Sequence, residues 1–163
     1  MNDVEFDKME FRRTLGQFAT GVTIITTLDS EGAPIGVTAS SFNSLSMNPP
    51  MILWSLDKRA YSLPAFEHTA HFNVHVLAAH QHEWSNRFAK PGTDKFRGIE
   101  VTEGLGGVPI LPDYAALFEC KTAHHYEGGD HVIIVGEVLR FKSNGKRPLV
   151  FHRGQYTGID SLI

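Results

Sequence analysis

The sequence predicts a mainly β fold: an antiparallel barrel, closed or split, with a few accessory helices. Three observations carry that expectation. Runs of β-branched and alternating apolar residues recur along the chain. Turns bearing Gly, Asp and Pro join these runs into hairpins. Strands also do not alternate with regular helices, as parallel βαβ units would require. At 163 residues the chain can bury a core without covalent staples. It shows no internal repeat or linker, so residues 1–163 read as one domain.

The elements follow in order. Residues 7–19, "DKMEFRRTLGQFA", set Met9, Arg12 or Arg13, Leu15 and Phe18 at helical intervals, predicting a short amphipathic helix. "GVTIITTLD" is β-branched, "DSEGAP" is a turn and "IGVTAS" is again extended, so residues 21–41 read as a hairpin. Pro49 and Pro50 introduce the strand "MILWSL" at a place where a missing N–H does little harm. "DKRAYSLPAFEHT" is a short helical segment that Pro64 interrupts or starts. "HFNVHVL" alternates Phe72, Val74 and Val76 against Asn73, His75 and Leu77, as a strand does. "AAHQHEWSNRFAK" reads as a helix and "PGTDKFRGIEVTEGLGGVPIL" as a Gly-rich connector. "ALFECKTAHHYE", the turn "GGD" and "HVIIVGEVLRFK" form a long hairpin whose glycines permit positive φ. "PLVFHRGQYTGI" is expected to close the chain as a last strand.

Composition excludes several classes. The chain is 42% hydrophobic and 20% charged, ordinary for a globular domain. A formal charge of −3 leaves no basic footprint for nucleic acid. The single Cys120 rules out an internal disulfide framework and fits a reducing cytosol. The N-terminal residues are acidic and lack an apolar h-region, so no signal peptide is expected. No apolar run approaches the ~20 residues of a membrane helix. These features point to a soluble, cytoplasmic domain.

Nine histidines raise a metal reading that the spacing does not support. His71 and His75 would lie about 13 Å apart on a strand. His124 and His125 would face opposite sides of one, and His80 and His82 lack a second ligand pair nearby. Solvated or core-edge histidines are expected, and no metal. Cys120 sits in a strand pattern and reads as a small buried hydrophobe. There is no G-x-S-x-G, no phosphate-binding G-x-x-x-x-G-K-[ST] and no G-x-G-x-x-G opening a helix. A hydrolase on Ser40 or Ser41 would need a base that the sequence does not place.

Residues 36–50, "GVTASSFNSLSMNPP", are too polar for a core and too regular for a solvated linker. On their own they read either as a Ser-rich turn capping a strand or as a row of hydrogen-bonding groups for a ligand. "SLDKRAYS" sets Ser55, Lys58, Arg59 and Ser62 where a strand gives way to a short helix. Two cations, hydroxyls and helix-terminal N–H groups suit a phosphate, although a solvated basic pair gives the same pattern.

Taken together, "TGVTIITT", "GVTASSFNSLSMNPPMILWSLDKRAYS" and "GGDHVIIVGEV" resemble the flavin reductase family over about residues 11–158. The resemblance implies an FMN-binding split β-barrel, Greek-key-like, assembled as a homodimer with flavin near the interface. It implies that backbone amides and hydroxyls of Thr38, Ala39, Ser40 and Ser41 line the isoalloxazine ring. Ser55, Lys58, Arg59 and Ser62 would then contact the phosphate or ribityl chain, with Phe88 and Lys90 also beside the flavin. Tyr156 would flank the pocket or form barrel wall. His131 would lie beside the nicotinamide, or otherwise be an exposed turn histidine.

The implied activity is reduction of FMN or FAD by NADH or NADPH, with hydride passing from nicotinamide C4 to flavin N5. The reduced flavin would supply a separate monooxygenase. Two alternatives stay open: a non-catalytic flavin carrier, and an enzyme resembling pyridoxamine-phosphate oxidase, from which more basic residues would be expected.

Overall fold

The computed structural model describes residues 5–92, 94–161 and 163. Its centre is a seven-stranded sheet made of β2 (Thr23–Leu28), β3 (Pro34–Ala39), β4 (Asn43–Met47), β5 (Pro50–Asp57), β6 (His71–Val76), β9 (Ala116–Gly128) and β10 (His131–Ser143). The order is β3-β2-β6-β9-β10-β5-β4, antiparallel at every pairing. β1 (Thr20–Gly21), β11 (Val150–His152) and β12 (Gln155–Thr157) form a small second sheet, and β7 (Thr102–Glu103) pairs with β8 (Pro109–Ile110). Three helices complete the fold: α1 (Lys8–Leu15), α2 (Leu63–His68) and α3 (His82–Ala89).

One connection shapes the sheet. Residues 40–42 alone join β3 at one edge to β4 at the other. A flat seven-stranded sheet separates its edge strands by about 29 Å, whereas so short a link reaches about 14 Å. The sheet must therefore curl until its edges approach. Ser41 fastens the approach: its Oγ accepts from Ser55 N at 2.9 Å and donates to Ser55 O at 3.1 Å. No ladder joins β3 to β4 among the described residues, so the curl stays open on that side.

Period-two alternation divides the core between the two faces. Ile25, Trp54, Phe66, Phe72, Val74 and Ile134 fill the concave side, with Cys120 among them. Burial pushes the Cys120 thiol up to about 12, which leaves it an inert hydrophobe. Ile24, on the other face of β2, packs with Val22, Leu77, Phe88, Leu111 and Leu149 beneath α3. The second face of β6 carries two buried polar residues bonded to main chain, Asn73, whose Nδ2 donates to Val108 O and Pro109 O at 3.2 Å each, and His75. His75 Nδ1 donates to Ile24 O (2.9 Å) while Nε2 accepts from Leu111 N (3.0 Å), which fixes a neutral tautomer. Burial lowers its pKa to about 4. This is a core histidine bridging two segments, and no group of metal-ligating side chains occurs among the described residues.

Several expected elements differ in detail. α1 stops at Leu15, and none of its residues is buried, so its apolar stripe lies uncovered. Pro64 sits in the first turn of α2 and starts that helix. β4 was hidden inside the Ser-rich stretch. The last strand is two, β11 and β12, because Arg153 (φ 53°) and Gly154 (φ 75°) adopt the left-handed conformation of a tight turn. No helix is long and apolar enough to cross a membrane.

Candidate functional site

A cleft of about 700 Å³ opens at the end of the sheet where β2, β3 and β5 meet their turns. That volume suits a medium-sized organic ligand. One wall is β3 from Pro34 to Val37, a second is the β5–α2 turn from Asp57 to Ser62, and the third is the chain after α3, including Lys90, Lys95 and Phe96. Because β3 is a sheet edge, its outward main-chain groups have no strand partner. Gly36 O points that way and accepts from Lys95 Nζ at 3.0 Å. Antiparallel alternation turns the Thr38 main chain toward the same open side.

Gly36 permits the close approach of the third wall. A Cβ there would lie 2.5 Å from the ring of the fully buried Phe88. Phe88 in turn holds Phe96 edge-on, with centroids 5.0 Å apart. Lys95 Nζ also donates to Phe88 O (2.7 Å), tying the segment after α3 to both helix and sheet. Partial burial depresses the Lys95 pKa, yet its two acceptors are neutral carbonyls, so its charge is not cancelled by a carboxylate.

Of the residues singled out from the sequence, Arg59, Ser62 and Lys90 line this cleft. Arg59 is held in a fork by Asp57: Nε to Oδ1 at 3.2 Å and Nη2 to Oδ2 at 3.0 Å. Those bonds hold the Asp57 carboxyl down to about 2. Ser62 is buried, and its side chain makes no capping bond to α2. Lys58 turns from the cleft to pair with Glu127, and its N–H donates to Asp130 O.

Thr38 Oγ1 donates to Ser85 O (2.7 Å), and Ser41 is committed to Ser55, so two hydroxyls expected to face a ring are engaged within the protein. Ala39 packs against the concave core and Ser40 is exposed. Phe88 has no exposed surface, so the expected flavin neighbour is a core residue in this structure. Tyr156 lies outside the cleft lining, sharing its hydroxyl with Ser85 Oγ (2.6 Å) and Asn86 Oδ1 (2.9 Å) to brace α3.

His131 begins β10 directly opposite Asp57, beside the cleft rim. Its Nδ1 faces Asp130 Oδ1 at 2.7 Å, so that nitrogen carries the proton and Nε2 is left for another partner. Sequence reasoning missed Asp57, Lys95 and Phe96. An Asp two residues before an Arg in a strand-ending turn was a usable signal for the first. Nothing local marks the other two, which reach β3 only through tertiary folding.

The free edge of an antiparallel sheet here borders a cleft lined by Tyr61, Phe96, Arg59, Lys90 and Lys95 together with Asp29 and Asp57, a set that can offer main-chain hydrogen bonds, aromatic surface and cations to a ligand. Comparison with known proteins makes this specific: residues 15–160 match the flavin reductase like domain, and the chain belongs to that family. It is 44% identical over 155 residues to the reductase subunit of a flavin-dependent monooxygenase from Rhodococcus jostii, covering 94% of this chain and 79% of that one. Identity is also 44% over 146 residues to an FMN reductase (NADH) of Agrobacterium fabrum, covering 90% and 83%. The chain spans only about half (49%) of a 42% identical flavin reductase relative from Rhizobium meliloti, itself matched over 93% of this chain. Among solved structures, the NADH:FAD oxidoreductase of Streptomyces globisporus in complex with NAD and FAD fragments superposes with a TM-score of 0.89 at 33% identity, covering 94% of this chain and 93% of that one.

Proposed function

We propose that this chain is an NAD(P)H:flavin oxidoreductase that reduces FMN or FAD and supplies reduced flavin to a separate monooxygenase. The observation that supports it is the cleft on the free edge of β3, in a chain of the flavin reductase-like family. Its parts fit a flavin. The edge main chain can pair with the alternating donors and acceptors of a pyrimidine ring, Phe96 and Tyr61 offer aromatic surface, and Arg59 and Lys90 can meet a phosphate. Flavin supplies the electron-accepting chemistry, taking hydride at N5 from nicotinamide C4. The protein's work is to hold the two rings in register and keep water out, and no acid–base pair is needed.

In this reading the Thr38–Ser41 main chain borders the ring, Ser55 and Ser62 flank the ribityl chain, and Arg59 and Lys90 face the phosphate. His131 is assigned to the nicotinamide carboxamide, to which Nε2 donates when the ring is protonated. The curled sheet is a split β-barrel with Greek-key-like strand order. The reading also includes a homodimer whose second subunit completes the flavin groove, acting in the cytoplasm.

The test is NADH and NADPH consumption in air with and without added FMN or FAD. Oxidation that rises with added flavin is expected. A folded protein that binds flavin but oxidises neither nucleotide is a carrier instead.

A further inference from the structure

We propose that Asp57 limits the cleft's affinity for a phosphate-bearing flavin by occupying the Arg59 guanidinium, so that the flavin exchanges instead of staying bound. The inference rests on the flavin reading above and goes beyond it by assigning a residue that sets how long the ligand stays.

Arg59 presents Nε and Nη2 to the two Asp57 oxygens, at 3.2 and 3.0 Å, and its N–H adds a third bond to Oδ1 at 2.7 Å. This two-bond fork is the geometry an arginine uses for phosphate, so Asp57 and a phosphate compete for one donor pair. The Arg59 side chain is 87% exposed and that of Asp57 31%, so water reaches the pair and it opens at modest cost. Competition of that kind weakens a ligand without excluding it. A second carboxylate, Asp29, also lines the cleft, and Asp130 lies at the adjoining turn. Lys58, the neighbouring cation, is itself matched by Glu127. The cleft mouth is thus held close to electrical balance. Attraction is left to Lys90 and Lys95, neither of which pairs with a carboxylate among the described residues. The depressed Asp57 pKa keeps the competitor ionised at any working pH.

The experiment measures Kd for FMN and for riboflavin, which has no phosphate, in the wild type, Asp57→Asn, Arg59→Ala and the double variant. The Asn side-chain oxygen still accepts from Arg59 N–H, so the turn is preserved. Should that variant fail to fold, Asp57→Ser also keeps an acceptor and carries the same expectation. Asp57→Asn is expected to bind FMN about three- to tenfold more tightly and release it correspondingly more slowly, with riboflavin unchanged. The gain should vanish when Arg59 is also removed. FMN affinity that falls or stays level in Asp57→Asn overturns the inference, as does a gain that persists without Arg59. A wild type that binds FMN no better than riboflavin, with Arg59→Ala indistinguishable from it, overturns the phosphate assignment itself and the inference with it.

Discussion

Two carboxylate–guanidinium forks in this molecule share a geometry and differ in everything around it. Glu119 receives Arg140 Nε and Nη2 at 2.8 Å each, and its side chain is 7% exposed. Its Oε1 also accepts from Leu105 N at 3.0 Å, and Gly104 packs so closely that a Cβ there would lie 2.5 Å away. Asp57 and Arg59 form the other fork in water at the cleft rim. The Glu119–Arg140 pair, sealed on its carboxylate side only, fastens β9 to β10 beside a bulge between Val138 and Arg140 and holds the Leu105 main chain. The open pair fastens nothing beyond its own turn. Similar bonds are structural where the carboxylate is buried, although Arg140 itself is 56% exposed, and exchangeable where both partners meet water.

The largest expected effect belongs to the sealed region. His75 is neutral in the folded chain with a pKa near 4, below its ordinary 6.5. The unfolded chain therefore binds the extra proton first as pH falls. His75's contribution is complete above pH 6.5, declines between 6.5 and 4, and is constant below, a total of about 3 kcal/mol. Urea titrations at pH 7 and pH 4.5 should show this loss in the wild type, and His75→Gln should flatten the difference. A wild type equally stable at both pH values would contradict the assignment.

Glu119→Gln should come next, costing about 2 kcal/mol by removing the charge from the bonds that buried Glu119 accepts from Arg140 and Leu105 N. The same denaturation assay on Asp57→Asn should find the midpoint unmoved. Equal losses would erase the contrast between the two forks.

Gly36→Ala tests the border between the regions. The new methyl presses on Phe88 and should cost about 1–2 kcal/mol while displacing Phe96 into the cleft. Flavin binding and thermal stability should therefore fall together. Loss of stability with unchanged flavin affinity would separate the cleft from that wall.

The smallest effect on folding is expected at the rim. His131→Ala should leave stability and flavin affinity alone and lower kcat/KM for NAD(P)H about tenfold, which is ~1.4 kcal/mol. An unaltered hydride-transfer rate in stopped flow would return His131 to the surface.

The sequence displayed elements wherever one face had to be buried. The 21–41 hairpin, the strand after Pro50 and the long β9–β10 hairpin announce themselves because Ile25, Trp54 and Ile134 must alternate with outward residues. β4 gave no such signal: Leu45 and Met47 are exposed, so "NSLSM" lacks an inward apolar set. Arg59, Ser62 and Lys90 were legible at the cleft because their chemistry is visible in isolation. The actual partners of Thr38, Ser41 and Lys58 were not, since Ser85, Ser55 and Glu127 lie 47, 14 and 69 positions away and meet them only by folding. Phe88 shows the same limit, because a ring beside a cleft and a ring behind its wall look alike in one dimension.

The short 40–42 link also constrains how the chain can fold. The β2–β3 and β4–β5 hairpins are consecutive in sequence yet sit at opposite ends of the strand order. Neither can add to the other, so the sheet cannot grow strand by strand from the N-terminus. The first must wait for β6, 47 to 53 positions further on, and the second for β10, whose pairings with β5 span 74 to 86 positions. Closing such long loops before their contacts form is slow. Until the C-terminal third of the chain arrives, the β4–β5 hairpin has no neighbouring strand, and only β9 and β10 complete the ladder that joins it to β6, β2 and β3.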